Sequence, residues 1–168
     1  MASTSDFFEV DLNKVELPDL EPNWQHSHGY SRQQMEQWVA ELQEIQRLSQ
    51  EEGYKPSDFE KMRADSNPAV RALGQTHHQF YGNPKINQDC VVLEWRKDHY
   101  EITNGRHRVW LAKQQGVRSL PALVSAPDTP TLARLKEEGA RANEASRRRF
   151  PWDRGTDPQR PDTPTRER

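Results

Sequence analysis

Residues 100–124 constrain this chain more tightly than any other stretch. Tyr100, Glu101, Ile102 and Thr103 alternate in character and run into Asn104-Gly105, a pair that breaks a strand. Positions 106–115 then hold good helix formers and stop at Gly116, after which 119–124 return as an apolar strand. The segment predicts a strand, a tight glycine turn, a helix and a second strand. A helix entered straight from a strand through glycine aims backbone N–H groups at one spot, and that end carries partial positive charge. Anions settle there. Gly105 lets the backbone approach a phosphate closely, while Arg106, His107 and Arg108 add side-chain donors. A first helical turn ordinarily favours Asp and Glu. Three basic or potentially basic side chains oppose the helix dipole, a cost tolerated when an anion or carboxylate sits opposite. Asn104, Gly105, Arg106 and Arg108 are therefore the expected phosphate-binding residues, with His107 beside them as proton carrier. The competing reading is an ordinary turn whose arginines pair with Glu101 or Asp98.

Around this centre the pattern predicts a mixed α/β chain. Residues 7–15 read as a half-buried strand, with Phe8, Val10 and Leu12 alternating against Glu9, Asp11 and Asn13. Ser31 and Gln34 make a capping box for a helix carrying Met35, Trp38, Val39, Leu42 and Ile45 on one stripe, ending near Leu48. Ser57 with Glu60 suggests another box, and Asn67-Pro68 a cap and first turn, with Phe59, Met62, Val70 and Leu73 facing inward. The stretch 74–87 reads as an ordered loop of lid type. A hairpin is expected from 90–95 and 100–103, and a last helix from Thr129-Pro130 to about Arg147. Beyond Ser146 the proline-spaced, charged residues predict a disordered tail at 148–168.

The 168 residues fit one domain, expected at 7–147 with a helical insertion at about 50–88. With 24 basic and 26 acidic residues there is no global field to attract nucleic acid or an anionic membrane, so an anion site must be local. A single cysteine, Cys90, excludes an intramolecular disulfide and reads as a small buried hydrophobe. No leader pattern or membrane span is found, which points to the cytoplasm, apart from secretion by a dedicated machine.

Residues 100–124 resemble the signature region of the ParB/sulfiredoxin superfamily: strand, Gly-x-His-Arg turn, helix ending in glycine, and a strand with a small residue and proline near its start. The strand at 7–15, then Pro22-Asn23-Trp24-Gln25 and an amphipathic helix, resemble that superfamily's first nucleotide-contacting box. The resemblance implies a ParB/sulfiredoxin-like domain, with Asn23 and Gln25 joining the nucleotide site. It also implies an acidic base from the N-terminal segment, for which Glu16 is the chosen candidate beside Asp19 and Glu21. Arg106 stands where sulfiredoxins carry their nucleophilic cysteine, which argues against repair of oxidised cysteine. Trp110 and Arg106 occupy places where partition proteins carry an arginine and an acidic residue, and no helix-turn-helix domain follows Val124, which argues against chromosome segregation.

The leading expectation is a nucleotide- or phosphate-binding enzyme that hydrolyses NTP or transfers a phosphoryl group, using Mg2+ with ATP or CTP. The alternatives are a nuclease of a bacterial toxin or phage-related system, with nucleic acid as partner, and a nucleotide-gated adaptor that docks a protein through its tail. His26/His28, His77/His78 and His107 leave the metal open. Trp24, Trp38, Trp95 and Trp110 read as core or pocket walls. No membrane partner is expected.

Overall fold

A computed structural model describes residues 3–17, 21–24, 30–82 and 90–147. Its element order is β1 (Thr4–Asp11), a 3-10 turn (Leu12–Lys14), α1 (Arg32–Glu51), α2 (Pro56–Met62), α3 (Pro68–Tyr81), β2 (Val92–Arg96), β3 (His99–Asn104), α4 (Arg106–Gln114), β4 (Ser119–Ala126) and α5 (Thr129–Arg147). Among the described residues the architecture is mixed α+β, with five helices around a four-stranded sheet of order β1-β4-β2-β3. β4 pairs antiparallel with β1 and parallel with β2, and β2 and β3 form an antiparallel hairpin.

β4 reads as a nearly continuous apolar run because it is an inner strand, with Leu120, Ala122, Val124 and Ala126 all buried. Pro121 is tolerated there because the pairing with β2 begins only at Leu123. The expected alternation of Phe8, Val10 and Leu12 holds, and all three are buried. The strand itself runs from Thr4 and stops at Asp11, earlier than the expected 7–15. Asp11 explains the stop: its carboxylate accepts from Asn13 N at 3.0 Å, turning the chain. The Leu12 N–H then bonds Arg118 O at 3.0 Å.

α1 begins as expected, with Ser31 Oγ accepting from Gln34 N at 3.0 Å, and buries Met35, Val39, Leu42, Ile45 and Leu48. Trp38 lies at the margin of that stripe, partly buried and edge-on to Tyr30 at 4.7 Å. α2 corrects the expected Ser57/Glu60 box. Pro56 takes the first helical position, so the cap moves to Lys55, whose N–H bonds Asp58 Oδ2 at 2.8 Å. α3 starts at the expected Asn67 cap and continues to Tyr81, so 74–81 is helix, not loop; 83–89 lies outside the described residues. Gly74 is part of that helix because a Cβ there would lie 2.6 Å from Arg63 N and 2.8 Å from Phe59 O, where α3 crosses α2. Phe59 is buried with Ile45 and Leu48, and Met62, Leu73 and Tyr81 pack on them, tying α2 and α3 to the far end of α1.

The last helix covers the sheet through Leu132, Leu135 and Ala142. Gly139 sets how close it comes, since a Cβ would lie 1.6 Å from Glu9 O on β1. The expected tail, 148–168, lies outside the described residues. No helix among the described residues is long and apolar enough to cross a membrane.

Candidate functional site

The segment 100–124 adopts the expected strand, turn, helix and strand. Gly105 caps α4 at φ +96°, in the left-handed region open to glycine. Its lack of a side chain matters twice, because a Cβ would lie 2.9 Å from Val91 Cγ2. Asn104 secures the other side of the turn, its Nδ2 donating to Cys90 O at 2.8 Å. Cys90 is a buried free thiol, as expected. The residues leading into β2 thus form the floor on which the turn rests.

Inside α4 the first hydrogen bond is Val109 N–H to Gly105 O at 3.0 Å, which leaves the amides of Arg106 and His107 outside the helical ladder. No side chain caps this end, and no acidic residue lies in its first turn. Arg108, 8 % exposed, folds back so that Nη2 would lie 3.3 Å from a Cβ on Gly105, with its guanidinium 5.8 Å from the Phe80 ring centroid. Arg106 points outward and enters no ion pair among the described residues. The carboxylates that would have made this an ordinary turn are engaged elsewhere. Glu101 pairs with Arg96 at 3.1 Å, and Asp98 with His99 at 2.7 Å.

His107 is also 8 % exposed. Its Nε2 lies 2.9 Å from Asn23 O, and its ring meets Trp24 at 4.9 Å between centroids. Trp24 in turn donates from Nε1 to Glu21 Oε2, which also accepts from Arg32 Nη1 at 2.7 Å. The Arg32 guanidinium lies 5.8 Å from the Trp24 ring and 5.5 Å from Trp110. Residues 21–24 are therefore a strap fastened across the first turn of α4 by one histidine, one arginine and two tryptophans. Of the sequence-derived candidates, Asn23, Asn104, Gly105, His107 and Arg108 come together here, with Arg106 at the outer rim. Gln25 lies outside the described residues.

The chain matches no protein-family model, no curated protein and no solved structure. What it does must be read from the turn itself.

Glu16 is not brought to the turn. Its N–H bonds Tyr100 O at 3.1 Å, four residues before Asn104 and so about 13 Å back along β3. Its carboxylate, 71 % exposed, faces His99 at 3.7 Å. Glu21, the other described carboxylate of that segment, is committed to Trp24 and Arg32. Among the described residues no three His, Cys, Asp or Glu gather as a metal site. His77 is stacked between Phe59 at 4.4 Å and Tyr81 at 4.8 Å, and burial lowers its pKa to about 4.

Arg32, Phe80 and Val91 were missed from the sequence. Arg32 reads as one more charged residue after a helix cap, and only folding puts it between two tryptophans. Trp95, by contrast, is buried as a core wall, edge-on to Tyr100 at 5.0 Å.

Proposed function

We propose that this chain is a nucleotide- or phosphate-binding protein of ParB/sulfiredoxin type that hydrolyses NTP or transfers a phosphoryl group. The observation that carries the reading is a helix end with no acidic first-turn residue and no side-chain cap, entered through a left-handed glycine with Arg108 folded back beside it. Amides at such an end and a planar guanidinium are complementary to phosphate oxygens. In this reading Gly105 and the amides after it cradle a phosphate, Arg108 holds it from the Phe80 side, and Arg106 closes from solvent. Asn104 keeps the turn in shape through Cys90, and Asn23 brings the strap across.

His107 is the proton carrier, since Glu16 lies beside His99 and Glu21 is already bonded twice. Positioning and electrostatic stabilisation supply most of the acceleration in phosphoryl transfer, and a clamp of this kind is suited to both. Mg2+ would enter with the nucleotide, ATP or CTP, and would supply positive charge to offset that of its phosphates.

Titration of the chain with ATP, CTP and pyrophosphate, each with and without Mg2+, followed by calorimetry, tests the proposal. Saturable binding weakened about 10- to 100-fold by Arg108→Ala is expected, as for the loss of one charge-assisted contact. Equal affinity in parent and variant overturns it.

A further inference from the structure

We infer that the Asn23 carbonyl fixes His107 in the Nε2-protonated tautomer, so that any proton His107 gains or loses moves at Nδ1 while the strap at 21–24 stays bonded. A backbone carbonyl can only accept, so the 2.9 Å contact to Asn23 O requires a proton on Nε2. A neutral imidazole carries one N–H, which leaves the lone pair on Nδ1. No group among the described residues bonds Nδ1.

The ring has little freedom to exchange roles. It is buried in the first turn of α4, and the tilted Trp24 ring at 4.9 Å blocks rotation on one side. Trp24 is itself held by Glu21 and Arg32, and Arg32 is braced by Trp110 and by Glu36 at 3.2 Å. Arg32 is thus a positioning residue that acts on His107 through the strap. The arrangement resembles the second-sphere contacts that set which imidazole nitrogen reacts.

Two consequences follow. The neutral ring and the imidazolium both keep Nε2–H, so the bond to Asn23 survives protonation at Nδ1 and the strap stays fastened in either form. Resting on the phosphoryl-transfer reading above, the attacking water or hydroxyl passes its proton to Nδ1 as its oxygen bonds phosphorus and the bond from phosphorus to the leaving oxygen breaks. The resulting imidazolium then releases that proton to the leaving oxygen or to bulk water.

Long-range proton–nitrogen correlation NMR on the ligand-free, 15N-labelled full chain tests the inference apart from any ligand, with His107 assigned by the spectrum of His107→Gln. The expected result is one form, with Nε2 protonated and Nδ1 bare at high pH, and Nε2 still protonated through the acid titration. A Nδ1-protonated ring, or the fast tautomer mixture of a free histidine, overturns it. Arg32→Gln should release the ring into that mixture, and Arg32→Lys should restore part of the fixed form. An unchanged tautomer in Arg32→Gln removes the positioning role. The glutamine of His107→Gln carries a donor at the Nε2 position but no base. It is expected to keep parental phosphate affinity and lose at least about 100-fold in turnover, the lower end of the range for a general base. Undiminished turnover would assign the proton elsewhere. If no phosphate ligand binds, the function above falls while the tautomer result still stands.

Discussion

Two polar clusters lie within this small molecule, and they are built on opposite terms. Around Glu9 every donor meets an acceptor. Tyr81 Oη donates to Glu9 Oε2, Ser119 Oγ donates to Glu9 Oε1 at 3.1 Å, and Gln46 Nε2 reaches both Glu9 Oε1 at 3.1 Å and Ser119 O at 3.0 Å. One side chain each from α1, α3, β1 and β4 closes the ring. At the start of α4, cationic and amide donors converge with no carboxylate of the first turn to answer them. A closed ring ties elements together, whereas a helix end with no acidic first-turn residue and no side-chain cap is the kind of place that suits an anion.

That contrast breaks most readily at its buried half. Gly139→Ala pushes a methyl into the Glu9 carbonyl and should cost about 3 kcal/mol in chemical denaturation, the upper range for overpacking. A loss below about 1 kcal/mol would mean that α5 can lift from β1 freely. Gln46→Ala leaves the Ser119 carbonyl without its side-chain donor and should cost about 2 kcal/mol. Phosphate affinity should be unaltered in whatever fraction remains folded, and a change there would link the two clusters.

Gly105→Ala imposes a left-handed backbone on an L side chain and crowds Val91, for about 1–2 kcal/mol. Unlike Gln46→Ala, it should also weaken phosphate binding, because the turn is where the ligand would sit. If melting temperature falls and affinity does not, the ligand lies elsewhere.

The pH dependence sharpens the contrast further. Burial raises the Glu9 carboxyl above its ordinary value of 4.5. On raising pH the unfolded chain therefore loses this proton first, so stability falls from about 4.5 upward until the folded value is passed. Glu9→Gln should flatten that fall in a series of thermal melts. His77 works in the other direction, because a folded value near 4 costs stability as pH drops from 6.5 towards 4. A parental profile in Glu9→Gln would show that the carboxyl does not titrate in this window. The smallest effect belongs to Arg106→Ala, which should change stability by less than about 0.5 kcal/mol while still lowering anion affinity. A larger stability loss would make Arg106 a structural residue.

Local signals were legible wherever neighbouring residues decide the outcome. Ser31 and Asn67 cap the helices they were expected to cap, and Asn104-Gly105 ends β3 because its chemistry breaks a strand. Signals failed where a distant contact overrode local preference. Gly74 reads as a breaker, yet it sits inside α3 because α2 passes too close for any side chain. Glu9 reads as a solvated strand residue, and nothing within ten positions announces the tyrosine, glutamine and serine that enclose it.

The sequence by itself determined the order of elements, the apolar stripe of α1 and the basic first turn of α4, because each depends on residues within a few positions of one another. Tertiary structure alone decided that Arg108 folds back over Phe80, that Arg32 lies between Trp24 and Trp110, and that Glu9 is enclosed. Apart from that of Arg32 with Trp24, those contacts join residues dozens of positions apart, and burial, which strengthens them, exists only once the chain has closed.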